Sequence, residues 1–178
     1  MKVRKLSESE MLNLWKLKHG MASLRDDAVI TRSDGMDMDT LLLSNMRGWY
    51  DRVIRTASAD VLPLADVANR LEMTVAPSGV AVVKLPDDCV RVVRVMAEGW
   101  ERQAEITTDV SGVLAQEQMS EYTRGGAVNP VAVVDGGEMR LYTLGDGAKL
   151  EQVLCVMSRS DDGYLMTDWM EGEMREER

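Results

Sequence analysis

The amino-acid sequence predicts an α+β fold in which N-terminal helices are followed by a mostly antiparallel β-sheet or sandwich and a C-terminal tail. Over the first sixty residues, apolar residues recur every three or four positions, which is the period of an amphipathic helix. From Leu71 onward, apolar and polar residues alternate, and turns rich in glycine and proline separate the alternating runs. Because the strands follow the helices and are not interleaved with them, the pattern favours α+β over a parallel α/β fold.

The same changes in periodicity divide the 178-residue chain into three regions. These are an N-terminal helical region at 1–60, a β-rich domain at 61–157 and a C-terminal extension at 158–178. The length fits one domain with extensions, and a core of this size can be stable without disulfides or metals.

The first helix is predicted over residues 8–24. Ser7 and Glu10 have the spacing of a capping box, in which each side chain bonds the backbone N–H of the other residue. Gly20 weakens this helix without forbidding it. The predicted apolar face consists of Leu14, Leu17, Met21 and Leu24.

The second helix has the strongest helical pattern of the chain. A polar loop over residues 25–37 precedes it, and Asp37 or Asp39 can cap it. The helix should end near Asp60, ahead of Pro63. Its apolar stripe consists of Met38, Leu42, Met46, Trp49, Val53 and Ala57, widened by Tyr50 and Ile54.

The β-rich domain should contain two hairpins and further strands. Residues 71–75 and 80–85 form the first predicted hairpin, and residues 131–134 and 139–143 form the second around Asp135-Gly136-Gly137. Between the hairpins, a strand over 89–96 should turn at Gly99 into an antiparallel return over 100–106, before a short helix within 108–121. The last predicted strand covers 150–157.

The C-terminal tail suits a short helix with one apolar face. Two interpretations stay open: the helix packs on its own domain, or it docks on a neighbouring subunit. Under the second, we expect a deletion of residues 164–178 to weaken assembly more than thermal stability. The candidate partner-interface residues are Leu165, Met166, Trp169 and Met170.

The composition is that of an acidic globular protein. The formal net charge is -9, which disfavours wrapping of duplex DNA because phosphate binding needs clusters of Lys and Arg. Arg91, Arg94 and Arg102 could form a local basic patch. The preferred interpretation is that they are separate, solvated side chains, because charged residues are mostly exposed. The chain has no Phe and 14 Met, which fill a core or form an adaptable interface.

The two cysteines, Cys89 and Cys155, each lie in an apolar run. Buried cysteines behave as small hydrophobic residues, and a disulfide is open on spacing alone. The basic start of the chain is not followed by the apolar region of a signal peptide, and no run reaches the length of a membrane span. We therefore expect synthesis in a cytoplasm and no membrane partner.

The residue pattern predicts no catalytic, cofactor-binding or metal-binding residues. His19 is the only histidine and is expected to be a solvated surface residue. The pairs of aspartates lie at predicted turns, and the glycine pairs lack the context of a phosphate-binding loop. Trp100 is expected to pack across strands, and Trp49 and Tyr50 to lie in the core.

Four short motifs carry a resemblance to a known family. With the preceding helices, their order resembles the adaptor or ring proteins of the head–tail connector of tailed phages, of the type found in phages and prophages of Bacteroidetes. The resemblance covers about residues 61–142. The motifs are Leu85-Pro86-Asp87-Asp88, Gly99-Trp100-Glu101-Arg102, Tyr122-Thr123-Arg124-Gly125 and Asn129-Pro130-Val131.

The resemblance implies a structural virion protein that is not an enzyme, carries no cofactor and is made in the cytoplasm of the bacterial host. Such proteins form a homo-oligomeric ring, often a dodecamer, which contacts the portal protein and neighbouring tail or ring proteins. DNA passes through the ring without sequence-specific binding, which an acidic lumen would permit. A tail-completion or head-decoration role belongs to the same class.

A second hypothesis is a small ligand-binding or accessory β-domain protein of a bacterial cell. It depends on the Gly99-Trp100 turn and on Tyr122 and Tyr142, which could line a cleft. A concave, largely apolar pocket would distinguish this hypothesis from the first.

Overall fold

The structure, a computed structural model, describes residues 2–21, 37–159 and 163–174. It has the α+β fold that the sequence predicts, with mostly antiparallel strands. Two short 3-10 helices, at Ala59–Val61 and Ala68–Arg70, lie among the other elements. The α-helices and strands of the described residues are, in chain order, β1 (Val3–Leu6), α1 (Glu8–Lys18), α2 (Met38–Thr56), β2 (Leu64–Asp66), β3 (Ala81–Lys84), β4 (Cys89–Ala97), β5 (Glu105–Thr107), α3 (Val113–Glu117), β6 (Val131–Asp135), β7 (Glu138–Leu141), β8 (Leu150–Met157), β9 (Tyr164–Thr167) and α4 (Asp168–Glu173).

The chain divides into two compact units. Unit 1 combines Met1–Pro63 with Ser158–Arg178, and unit 2 is Leu64–Met157. Unit 2 lies close to the predicted β-rich domain at 61–157. The predicted C-terminal extension at 158–178 is not a separate region, because it belongs to the same unit as the N-terminal helices.

A two-stranded antiparallel ribbon joins the beginning and the end of unit 1. Strand β1 pairs with β9 from Val3 opposite Thr167 to Leu6 opposite Tyr164. Gly163, just before β9, has a φ of +129°, and a Cβ atom there would overlap the carbonyl oxygen of Leu6. Neither strand was predicted, because each is only four residues long and finds its partner far away in the sequence.

Helix α1 begins where predicted but buries a different face. The Ser7 side chain accepts from the Glu10 N–H at 3.3 Å, and the Glu10 carboxylate accepts from the Ser7 N–H at 2.8 Å, which confirms the capping box. The predicted face is wrong at Leu17, which is 61% exposed, whereas Leu14 and Met21 are half-buried and Leu24 lies outside the described residues. The side chains that α1 buries are Met11, Leu12 and Trp15.

The end of α1 explains part of this difference. Gly20 adopts a φ of +72°, its N–H donates to the Leu17 carbonyl at 3.3 Å, and the Met21 N–H donates to the Lys16 carbonyl at 2.8 Å. This is the Schellman arrangement that ends helices at a glycine. Gly20 therefore terminates the helix after Lys18, and the predicted apolar stripe loses its last turn.

Helix α2 confirms the predicted cap and apolar stripe but ends before Asp60, near which its end was predicted. Asp37 caps it by accepting from the Asp39 N–H at 3.4 Å and the Thr40 N–H at 3.3 Å, and the helix ends at Thr56. The predicted loop at 25–37 lies outside the described residues except for Asp37. The side chains that α2 buries are Leu42, Met46, Trp49, Tyr50, Val53 and Ile54.

Unit 2 contains two sheets, ordered β2-β8-β4 and β3-β7-β6-β5. The predicted β6–β7 hairpin and the strands at β4 and β8 are confirmed. Residues 71–75 do not form the predicted strand and contribute only an isolated bridge from Val75 to Ala81. Apolar side chains from both sheets form one core, which includes Val83, Val95, Met139 and Val153.

Strand β5 does not make the predicted antiparallel return on β4. It pairs with β6, in parallel, beginning with Glu105 opposite Val131. After the turn at Gly99, the Trp100 side chain is buried and its indole N–H donates to the Thr143 carbonyl at 3.4 Å. The segment before β5 keeps a backbone bond to β4, from the Ala104 N–H to the Val95 carbonyl at 2.9 Å, and β5 itself begins at Glu105.

Glu8 lies at the centre of a polar cluster in unit 1. Its Oε2 atom accepts from Nε and Nη2 of Arg47 at 3.0 and 2.6 Å and from the Tyr164 hydroxyl at 3.1 Å. Arg159 Nη1 lies 3.5 Å from the same oxygen. The hydrogen bond from Arg47 lowers the pKa of Glu8 most strongly, and the Tyr164 hydroxyl acts in the same direction. The cluster thus connects α1, α2 and β9 electrostatically.

We predict that Glu8→Gln lowers the free energy of unfolding by about 0.5–1 kcal/mol at pH 7, because the pair is partly exposed and screened. The pKa of Glu8 lies below 4.5 in the folded state, so its contribution is complete above that value and is lost as the pH falls through the folded pKa. Urea denaturation of both proteins from pH 7 to pH 3 should show the difference shrinking as the pH falls. A difference that persists unchanged at pH 3 would contradict this assignment.

Candidate interaction surfaces

The structure corrects the predicted interface in the C-terminal tail. Met166 and Met170 are fully buried within unit 1, so they are core residues and cannot contact a partner. Leu165 is half-buried, and Trp169, at 37% exposure, is the most exposed member of the predicted set. The tail therefore packs on its own chain, which was the other of the two open interpretations.

Hydrogen bonds explain why the tail folds into unit 1. The buried Thr167 hydroxyl donates to the Val61 carbonyl at 2.8 Å and caps α4 by accepting from the Met170 N–H at 3.3 Å. The Tyr50 hydroxyl donates to the Leu165 carbonyl at 3.2 Å, and its ring meets that of Tyr164 edge-on at 4.9 Å. Burial raises the pKa of Tyr50 to about 12.

A second surface lies in unit 2, on the segment of residues 108–128 that contains α3. Five of its apolar side chains are exposed, and Tyr122 reaches 96% exposure. Sequence reasoning singled out Tyr122 alone. The signal for the others was present, because these apolar residues lie in a polar stretch and follow neither the helical nor the strand period. The exposed side chains are Val110, Val113, Met119, Tyr122 and Val128.

Buried polar contacts hold the 108–128 segment in place from beneath. Gln118 is only 1% exposed, its Nε2 donates to the Leu114 carbonyl at 3.1 Å, and its Oε1 accepts from the Gly125 N–H at 3.3 Å. A buried amide is stable only when its polar atoms are paired, so both bonds are needed. The backbone of the segment is therefore fixed, although the five exposed apolar side chains point to solvent.

Arg124 connects the segment to the rest of unit 2. Its Nε donates to the Gln118 carbonyl at 2.9 Å, and its Nη1 donates to the Ser78 carbonyl at 2.8 Å. The guanidinium also lies 5.7 Å from the centre of the Tyr142 ring, within the range of a cation–π interaction. A single arginine thus fastens the segment to the turn before β3 and to the residue after β7.

Two of the motifs behind the family resemblance meet at Gly125. The Asn129 N–H donates to the Gly125 carbonyl at 3.3 Å, and a Cβ atom on Gly125 would overlap the Asn129 carbonyl oxygen. Arg102, from a third motif, donates to the Asn129 side chain. These motif residues therefore have a structural role in shaping the base of the segment.

A cleft of about 580 Å³ lies beside Arg124, but the aromatic residues proposed for a ligand cleft do not converge on it. Trp100 and Tyr142 are buried at 5% and 3% exposure, whereas Tyr122 projects into solvent. The lining is mainly polar side chains and glycine backbone, unlike the largely apolar lining of typical small-molecule sites. It includes Ser78, Gly79, Glu121, Arg124, Gly126 and Thr143.

The remaining candidate residues have local structural roles. His19 is half-buried and not a solvated surface residue as predicted, because its ring stacks on Trp15 at 4.1 Å and its Nδ1 lies 2.9 Å from the Trp15 carbonyl oxygen. Arg94 and Arg102 are exposed, and Arg91 is half-buried.

Within the described ranges, His, Cys, Asp and Glu side chains form no group of three that could hold a metal ion. Nor does any helix in the described part of the chain have the length and apolar character needed to cross a membrane. No protein-family model matches the sequence, and no curated protein matches it either.

We predict that Met170→Ala lowers the free energy of unfolding of unit 1 by about 2–5 kcal/mol, the usual cost of truncating a fully buried Met. Leu17→Ala is the matched control, since Leu17 is also helical and apolar but 61% exposed, and it should change stability by less than about 0.5 kcal/mol. Urea denaturation followed by tryptophan fluorescence measures both, because Trp15, Trp49 and Trp169 all belong to unit 1. Equal effects of the two variants would mean that the tail is not core.

We predict that Gly125→Ala destabilises unit 2 by about 1–3 kcal/mol, because the added methyl group forces the backbone away from Asn129. Gly145→Ala should be nearly neutral, since nothing lies within 4 Å of its Cβ position. Hydrogen-exchange mass spectrometry should show faster exchange across residues 118–131 in the first variant only. Unchanged protection there would refute the role assigned to Gly125.

Proposed function

We propose that this protein is a structural component of a phage particle, an adaptor that forms a ring on the portal at the head–tail junction. The observation that carries the proposal is the 108–128 segment, whose backbone is fixed by Gln118 and Arg124 while five of its apolar side chains face solvent. The segment also contains the motif Tyr122-Thr123-Arg124-Gly125, which is part of the resemblance to connector proteins.

Exposed apolar groups on a fixed backbone favour a role in protein–protein contact. A grouping of exposed apolar residues marks interaction sites more often than solvated surface. A fixed backbone reduces the entropy lost on binding, so such a segment binds more tightly than a mobile loop of the same composition. Tyr122, at 96% exposure, is the natural anchor because tyrosine is enriched among residues that dominate binding energy.

Unit 1 supplies exposed apolar side chains of a different kind. Val3, Leu17 and Trp169 are exposed there, and they come from a strand and two helices, not from a loop segment. Two non-identical surfaces on one chain give head-to-tail contacts, and these close into rings when the rotation allows. This supports a cyclic homo-oligomer more than a symmetric dimer.

The charge of the chain supports passage of DNA without retention. A net charge of -9 disfavours binding to phosphates, which depends on neutralisation by Lys and Arg. An acidic ring would let DNA slide through its lumen during ejection. Location in the virion, the portal as partner, and the absence of catalysis and cofactors all belong to this proposal.

The proposal is tested with a double variant, Met119→Ser with Tyr122→Ser, which removes two exposed apolar side chains and leaves Gln118 and Arg124 intact. We expect native mass spectrometry to show a discrete ring, or a portal complex with one copy per portal subunit, for the original protein. The variant should keep its circular dichroism spectrum and lose at least about tenfold in affinity, equivalent to about 1.4 kcal/mol. Val82→Thr, at a residue 51% exposed on β3, is the matched control and should assemble normally.

Several outcomes would overturn this proposal. One is an original protein that stays monomeric at high concentration, ignores portal rings and is missing from purified virions. Another is a loss of assembly in Val82→Thr as large as in the double variant, which would remove the assignment of the interface to the 108–128 segment. Binding away from the portal would instead support tail completion or head decoration.

A further inference from the structure

Two cysteines lie close together on neighbouring strands of the β2-β8-β4 sheet. Cys89, the first residue of β4, pairs with Met157, and Cys155 lies two residues before Met157 on β8. Side chains two residues apart on a strand share a face, so Cys89 and Cys155 are diagonal neighbours on one face of the sheet. Their thiols are free and close enough for each to shift the pKa of the other.

The two thiols differ in exposure and acidity. Cys155 is fully buried, whereas Cys89 is only half-buried. The neighbouring Cys155 thiol lowers the pKa of Cys89, helped by the Arg91 N–H and the positive charge of Arg70, while burial and the Asp88 carboxylate oppose the shift. The Cys89 thiol, together with burial, raises the pKa of Cys155. Cys89 is therefore the thiol that loses its proton at the lower pH and that dissolved reagents can reach.

We propose that Cys89 and Cys155 form a redox modification site, at which a hydroperoxide converts the pair to an intrachain disulfide between β4 and β8. This proposal does not depend on the assembly role. It follows from a contact between one accessible and one buried thiol, which is the arrangement of an attacking and a resolving cysteine.

The chemistry uses the peroxide as the oxidant. The Cys89 thiolate attacks one peroxide oxygen, the O–O bond breaks, and hydroxide or alkoxide leaves while Cys89 becomes a sulfenic acid. The Cys155 sulfur then attacks the Cys89 sulfur, the S–S bond forms, and the sulfenic hydroxyl leaves with the Cys155 proton as water. The two thiols together lose two electrons, and the peroxide is reduced to water or to water and an alcohol.

The backbone at Cys89 can accommodate the bridge. Diagonal neighbours across a sheet are spaced somewhat wider than the Cα atoms of an ideal disulfide. A register shift between Cys89 and Arg91 interrupts the ladder here, so the first residues of β4 can move toward β8.

The test treats the reduced full-length protein with hydrogen peroxide, blocks the remaining thiols with an alkylating reagent and digests it with trypsin without reduction. We expect the peptide of residues 85–91 linked to that of residues 150–159, lighter by two hydrogen atoms than the two free peptides together. Dithiothreitol should separate them. A mixture of heavy and light isotope-labelled protein should give linked peptides of one label only, because the bridge is intrachain.

Two variants distinguish the role of Cys89 as the attacking thiol from that of Cys155 as the resolving thiol. In Cys155→Ser, the linked peptide should disappear and dimedone labelling of Cys89 should rise several-fold. In Cys89→Ser, Cys155 should resist both peroxide and dimedone while the protein is folded. Peroxide that leaves both thiols reduced, or that carries Cys89 to the sulfinic acid without a bridge, would overturn the proposal. So would linked peptides of mixed isotope label, or dimedone labelling of Cys155 equal to that of Cys89.

Discussion

The pairing of β1 with β9 is the constraint on which unit 1 depends. It brings residues near the start of the chain against residues beyond position 163, so the N-terminal helices find their packing partners only after the whole of unit 2 has been traversed. The entropy of closing such a loop rises slowly with its length, and the buried tail offsets it with Met166, Met170 and Met174, all fully buried. Unit 2 eases this closure, because its first and last strands pair with each other, with Leu64 opposite Val156.

The sequence predicted the elements whose information is local. The α2 stripe, the Ser7–Glu10 capping box and the β6–β7 hairpin each depend on residues close together in the chain, and all are confirmed. Most of the failures depend on distant partners. Strands β1 and β9 are too short to carry a period, and β5 pairs with β6, which lies more than twenty residues further along the chain. Two failures are local: Gly20 ends α1 early, and residues 71–75 contribute only a single bridge to Ala81.

The candidate interaction surfaces likewise depend on tertiary contacts that the local sequence does not reveal. Of the four predicted interface residues, Met166 and Met170 are core residues. The sequence could not decide this, because an apolar stripe in a tail is equally suited to packing inward or outward. The fixed 108–128 segment escaped prediction because its exposure is created by tertiary contacts. Gln118 and Arg124 hold the backbone from positions that look like ordinary polar residues in the sequence. Apolar residues without a period were the one available clue.

The discontinuity of unit 1 has a consequence for the newly made chain on the ribosome. Unit 2 is contiguous and is completely synthesised before residues 163–174, so all of its strands exist before β9, the partner of β1, has been made. During that interval the apolar faces around Trp15 and Trp49 lack the tail that completes their unit. A message truncated after Met157 would release a chain with a folded domain and an unfinished, adhesive remainder, which cellular chaperones and proteases recognise. Unit 1 is therefore complete only once residues 163–174 have been translated.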